Sequence, residues 1–428
     1  MKKPTPLLGI IGILVGLSRA PSEAASYVVD RLSDLNPAGG GDGSHFVGDL
    51  RYATTNAQSG DGIVIDVTGT IDLTAVLPIL TRNICIQGPG ANRLTVRGAG
   101  GSVFSVGVGA TVFISGLTIT GGSGNGGGIF NQGTLTLNDD TIRGNTAGDP
   151  TNGNGTGAGI WNYVDATLTL NGSTVSGNTV IGNLSYAPSR GGGIANYGTL
   201  TVTNSTISGN SASQGYGGGI SNSLATSTLT LQSVTISGNS SSGTTGSGGL
   251  DNLGTLTTGN SVVAGNSDGD LSGDVVSEGY NVFGTTDGSG FDPTDLLDAD
   301  PMLGPLQDNG GATATTAPLP GSLVIDRIPG AAGANFPVED QRGVVRPQGA
   351  LADSGAVEVG PLSPAVQSFG PVGAGRSILF SAEERVQSME KTAASTIPRM
   401  DIVRPGSVHH PPRVVDRVPA ASPPPCSP

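Results

Sequence analysis

The sequence predicts an all-β chain folded as a right-handed parallel β-helix, a solenoid of three short strands per coil. An N-terminal cap, irregular C-terminal coils and a disordered C-terminal tail are expected around it. Three observations carry the prediction: a repeat of about 30 residues, strict alternation inside each repeat, and a composition that suits stacked coils. The repeat has three blocks. Thr-Leu-Thr begins at residues 134, 167, 199, 228 and 255, so successive repeats are 33, 32, 29 and 27 residues long. Each is followed by a block ending in Gly-Asn (Gly144-Asn145, Gly177-Asn178, Gly209-Asn210, Gly238-Asn239, Gly265-Asn266) and preceded by Gly-Ile-x-Asn or Gly-Leu-x-Asn. Repeats of this period that cannot bury their own apolar face bury it by stacking.

Each block reads as a strand. Leucine alternates with threonine in Thr134-Leu-Thr-Leu137, the period of a strand with one buried face. Gly and Asn at the block ends suit sharp corners. Stacked in register, Ile142, Val175, Ile207, Ile236 and Val263 form one internal column, and Ile129, Ile160, Ile194, Ile220 and Leu250 another. Asn131, Asn162, Asn196, Asn222 and Asn252 form a structural ladder that satisfies corner backbone groups.

Composition agrees. Glycine is 72 of 428 residues, aromatics are 4% and charged residues 12%, which is too little for a large aromatic core. The net charge of −13 argues against a nucleic-acid partner, which needs clustered Lys and Arg. Two cysteines, Cys85 and Cys426, are too few for a disulfide scaffold.

Along the chain, Lys2-Lys3, the apolar run Leu7–Leu17 and the small residues of Ser22–Ala25 predict a signal peptide over 1–25. The run is too short to span a bilayer, and no transmembrane segment is expected in the mature chain. The expected location is secreted or cell-surface. Residues 26–62 read as the N-terminal cap, 63–266 as the repeats, 267–360 as final coils with a C-terminal cap, and 361–428 as a Pro-rich disordered tail.

Further motifs resemble a known group. Gly-Gly-Gly-Ile-x-Asn, GTLTVTNSTISGNSA at 198–212 and ISGLTITGG at 114–122 resemble bacterial β-helix proteins related to chlamydial polymorphic outer-membrane protein repeats. Residues 48–122 resemble the N-terminal module named for its CSLREA motif, without its Cys. Residues 299–358, with DQRGVVRPQ and DSGAVE, resemble the choice-of-anchor Q domain. The resemblance implies an extracellular, adhesin-like protein rather than a reaction.

Asn138-Asp139-Asp140 with Arg143 is the strongest catalytic candidate, because a pectate-lyase-like or polygalacturonase-like enzyme needs carboxylates beside a cation. Against it, Asp139 and Asp140 align with Gly172-Ser173 and Ser205 at a corner expected to be solvated. His45, His409 and His410 all lie outside the coils, so no convincing catalytic centre emerges. Asp268, Asp270 and Asp274 offer oxygen ligands that could hold a structural Ca²⁺; no other cofactor is expected. The outward Thr-x-Thr array raises a remote ice-binding alternative, although Thr is simply a good exposed strand residue.

The favoured reading is binding. Insertions at 146–156, 179–190, 211–216 and 240–247 leave one corner and should form a wall of loops carrying Tyr186, Arg190 and Tyr216. Phe130 and Trp161 occupy outward positions one coil apart and could stack on sugar rings. An extracellular polysaccharide or cell-surface partner is the expected ligand.

Overall fold

The computed structural model describes residues 24–36, 40–41, 45–148, 155–182, 189–242, 246–330 and 336–360. Residues 1–23 of the expected signal peptide, the 361–428 tail and Tyr186 fall outside them. The chain winds into stacked parallel sheets, a parallel β-helix. Among the described residues the first sheet has 12 strands, the second 9 and the third 7.

The Thr-Leu-Thr blocks form the first sheet. Thr134–Asn138, Thr167–Asn171, Thr199–Thr203, Thr228–Gln232 and Thr255–Gly259 pair in register, placing Leu135, Leu168, Leu200, Leu229 and Leu256 in one buried column. The Ile142 to Val263 column lies in the second sheet and the Ile129 to Leu250 column in the third, likewise paired and buried. A parallel stack repeats roughly every 4.8 Å, so each apolar side chain is covered above and below by its own kind.

Two asparagine ladders run through the corners. Asn131 Nδ2 donates to Asn162 Oδ1 at 2.8 Å, and the chain continues through Asn196 and Asn222 to Asn252. The second ladder uses the Gly-Asn blocks, from Asn145 through Asn178, Asn210 and Asn239 to Asn266, each link 2.9 Å. In this ladder each amide also donates to a carbonyl of the preceding coil, as Asn210 does to Val175 O. In both ladders the bond from amide to amide always runs from donor to the C-terminal neighbour, so the ladders are polar.

The structure departs from three strands per coil. Thr146–Ala147, Thr179–Val180, Ser211–Ala212 and Ser240–Ser241 form a fourth parallel sheet directly after the Gly-Asn corner. Beyond it Ser189–Arg190 pairs with Gly215–Tyr216. The insertions therefore begin as ordered extensions of the stack rather than as loops alone. Their small alternating residues (Ala147, Val180 and Ala212 buried) carry too weak a hydrophobic period to read from sequence.

At the N-terminal end, Ser26–Val29 and His45–Gly48 extend the first sheet in parallel. The helix Leu50–Asn56 buries Leu50, Ala53 and Thr54 against them, and its N-cap Asp49 accepts from Tyr52 N. At the other end Phe283 is buried beneath Phe291, ring centroids 5.1 Å apart.

Residues 299–360 differ from an end cap. The antiparallel pair Leu303–Gln307 and Thr315–Pro318, with the segment after it, returns along the outer face of the second sheet. There Thr174 Oγ1 donates to Ala314 O, Thr206 Oγ1 to Gln341 Oε1, and Ala356 N donates to Thr235 Oγ1. The outward threonines of that sheet offer hydroxyls, and the return segment uses them. Its Asp340-Gln341-Arg342 and Arg346 to Glu358 stretch is self-paired: Arg342 with Asp340 at 2.7 Å and Arg346 with Glu358 at 3.3 Å.

Candidate functional site

The outward residue of each third-sheet strand forms a column: Ser105, Phe130, Trp161, Ala195, Ser221, Asp251 and Ser272. Because Phe130 and Trp161 are register partners, their rings stack at 4.8 Å, which is the rise of one coil. Tyr163 stands edge-on to both, at 5.8 Å and 5.1 Å, and Tyr197 edge-on to Trp161 at 6.1 Å. Phe130, Trp161 and Tyr197 are half-buried and Tyr163 is exposed. The Trp161 Nε1–H is buried without a partner.

Tyr163 and Tyr197 were not singled out from sequence. The signal was present: each follows closely on a ladder asparagine, Asn162 or Asn196, where the chain turns outward.

Farther along the column Ala195, Ser221 and Asp251 face away from the core yet are buried. Arg190 extends over the Tyr216 ring, 5.2 Å from its centroid, a cation–π contact. Arg190 Nη1 and Asp251 Oδ2 are both buried without hydrogen-bond partners. Burial pushes the Asp251 carboxyl up to about 6, against the opposing pull of Arg190. In the return segment, burial likewise raises Asp353 to about 6.

These two carboxyls give a pH dependence of definite sign. A carboxyl whose ionisation is resisted in the fold holds its proton more tightly there than in the unfolded chain. Stability is therefore expected to fall as pH rises from about 4 through about 6, by at most a few kcal/mol. Thermal melts between pH 4 and 7 should show this slope, and Asp251→Asn should flatten it. An unchanged slope in that variant would show that Asp251 ionises freely.

The other candidates are dispersed. Asp139 is exposed with φ of +55°, and Arg143 is exposed. Asp140 is fully buried, which corrects the expectation of a solvated corner. It heads an internal column of polar corners: its Oδ1 accepts from Leu117 N, and its own N–H donates to Ser173 Oγ. Burial raises its carboxyl well above the usual range. Of the two neighbouring carboxylates, Asp139 is thus exposed at the corner and Asp140 is enclosed in the stack.

Asp268, Asp270 and Asp274 likewise separate. Asp270 is buried and ends the second ladder, its Oδ1 accepting from Asn266 N and Nδ2 at 2.7 and 2.8 Å. Asp274 accepts from Ser289 N and Oγ, and Asp268 is exposed. Among the described residues no group of three or more His, Cys, Asp or Glu could hold a metal ion. The Thr-x-Thr columns lie on the first sheet, Thr136 with Thr169, Thr201, Thr230 and Thr257, but Phe113 takes their place one coil before Thr136. No helix among the described residues is long and apolar enough to cross a membrane.

No family model matches the chain, and no curated protein matches it. Among solved structures it is similar to the crystal structure of pectate lyase Pel9A, with a TM-score of 0.41 and 10% sequence identity, over 78% of this chain and 97% of that one.

Proposed function

We infer that this is an exported, secreted or surface-displayed β-helix protein that binds an extracellular glycan or cell-surface partner through its third-sheet flank. The observation that supports the reading is the aromatic group of Phe130, Trp161, Tyr163 and Tyr197, set outward on a rigid stack and partly open to solvent. Aromatic rings held in place by neighbouring coils offer a large contact area at little entropic cost. Arg190 and Tyr216 continue the same flank. Kinship with the CSLREA and choice-of-anchor Q proteins belongs to the same proposal.

The test is binding of the purified protein to a glycan array and to cells. Phe130→Ala with Trp161→Ala should weaken binding at least tenfold. Because the two rings pack on each other, the melting temperature should also drop by several degrees, with the β circular dichroism retained. Asp139→Asn with Asp140→Asn should leave binding intact. Unsaturated or reducing ends released from polygalacturonate by the wild type, and lost in that second variant, would favour a polysaccharide-degrading enzyme instead.

A further inference from the structure

The corners between the third and first sheets alternate in length along the stack. Long corners at 107–110, 163–166 and 223–227 alternate with short ones, Gln132-Gly133, Tyr197-Gly198 and Leu253-Gly254. Each long corner closes on a turn, Ala110 N to Gly107 O, Ala166 N to Tyr163 O and Ser227 N to Leu224 O, and the tips of the first two turn left-handed at Gly109 and Asp165. Its carbonyls press on the short corner of the next coil. A Cβ at Gly133 would lie 2.5 Å from Ala110 O, and one at Gly198 would lie 2.2 Å from Ala166 O, so glycine is required there. The alternation raises ridges two coils apart, roughly 10 Å, with a trough between them.

Between the first two ridges the trough is a cleft of about 610 Å³. Val108 forms one wall, Tyr163, Val164 and Asp165 the other, and Gln132 lies on the floor. The two valines are exposed, at 81% and 41%. The Gln132 amide, the Tyr163 hydroxyl and the Asp165 carboxylate make no side-chain hydrogen bond to any described residue, so all three are available to a ligand. Tyr163 belongs to both places: one side of its ring borders the cleft and the other abuts Phe130 and Trp161.

We propose that this corner cleft is the binding subsite for an uncharged polysaccharide, one chain crossing between the two ridges. The proposal rests on the binding reading above and names its ligand class. A sugar ring has an apolar C–H face and an edge of hydroxyls that both donate and accept. The valines and Tyr163 suit the face, the Gln132 amide offers both a donor and acceptors, and Asp165 accepts. No Lys, Arg or His lines the cleft, and the chain carries a net charge of −13, so a uronate would meet only like charge.

The test measures binding of the full chain to soluble neutral glucan, mannan and xylan and to polygalacturonate, by affinity electrophoresis and calorimetry. Wild type should bind at least one neutral polymer and not polygalacturonate. Gln132→Ala, and Val108→Trp, which fills the cleft from an exposed position, should each weaken that binding at least tenfold at unchanged melting temperature. Wild type that binds no neutral polymer, or binds polygalacturonate equally well, would overturn the proposal. So would cleft variants that bind like wild type; if Phe130→Ala with Trp161→Ala then still abolished binding, the flank would stand as the binding surface without this cleft.

Discussion

Ile207→Asp is expected to unfold the repeat region or bring it close to unfolding at ambient temperature. Ile207 is fully buried, with Val175 on one side and Ile236 on the other in the same column. A carboxylate there has no cation and no donor to meet, and a protonated one still replaces four carbons of packing. The expected loss is several kcal/mol or more, against the 5–15 kcal/mol that typically holds a domain folded. Thr201→Asp lies on the adjoining first-sheet strand but faces outward and is half-exposed. It should cost no more than about 1 kcal/mol. Chemical denaturation of the two variants provides the comparison, and equal losses would mean that the inward and outward faces are misassigned.

Asn210→Asp should be almost as damaging although it changes one atom. Asn210 Nδ2 donates to Asn239 Oδ1 and to Val175 O, while its Oδ1 accepts from Asn178 N and Nδ2. An aspartate keeps the accepting half and turns the donating half into lone pairs facing two oxygens. Loss of two buried hydrogen bonds with new repulsion predicts a destabilisation of about 3–5 kcal/mol. Asp270 shows why the position matters. It ends the same ladder, where the side chain must only accept: Oδ1 from Asn266 and Oδ2 from Thr285 N. Asp295 likewise only accepts, taking both Asn281 N and Nδ2. Melting temperatures of Asn210→Asp and Asn210→Ala would separate repulsion from simple loss. A variant as stable as wild type would mean that the ladder is not what satisfies these corners.

The coil, its three main strands and the inward columns were legible because they repeat: five copies of a short pattern state their own register. What escaped was everything that does not repeat. The fourth sheet is built of two-residue strands of Thr, Ser, Ala and Val, too short for any period to show. The return of 299–360 over the second sheet depends on Gln341 meeting Thr206 and Ser173, contacts between residues 135 and 168 positions apart. Asp270 read as a cation ligand because three aspartates in a Gly-rich stretch look alike until one of them turns inward. The flank was half legible. The Phe130 and Trp161 positions follow from strand alternation, whereas Tyr163 depends on a corner whose length alternates from coil to coil. Asp251 stood in an outward position like any polar residue, and its burial, with the charge of Asp287, raises its carboxyl.

The return segment also changes how this solenoid can come apart. A bare stack has only nearest-neighbour interfaces and can peel from either end one coil at a time. Here the hydrogen bonds at Thr174, Thr206 and Thr235, with Gly355 N to Asn260 O and Ser354 Oγ to Tyr280 O, fasten five successive coils to one strip of chain. Those coils are bound to open together, leaving the coils before Thr174 as the part free to fray. Tension entering at Val359 would meet this seam broadside, in shear, before it reached any rung of the stack.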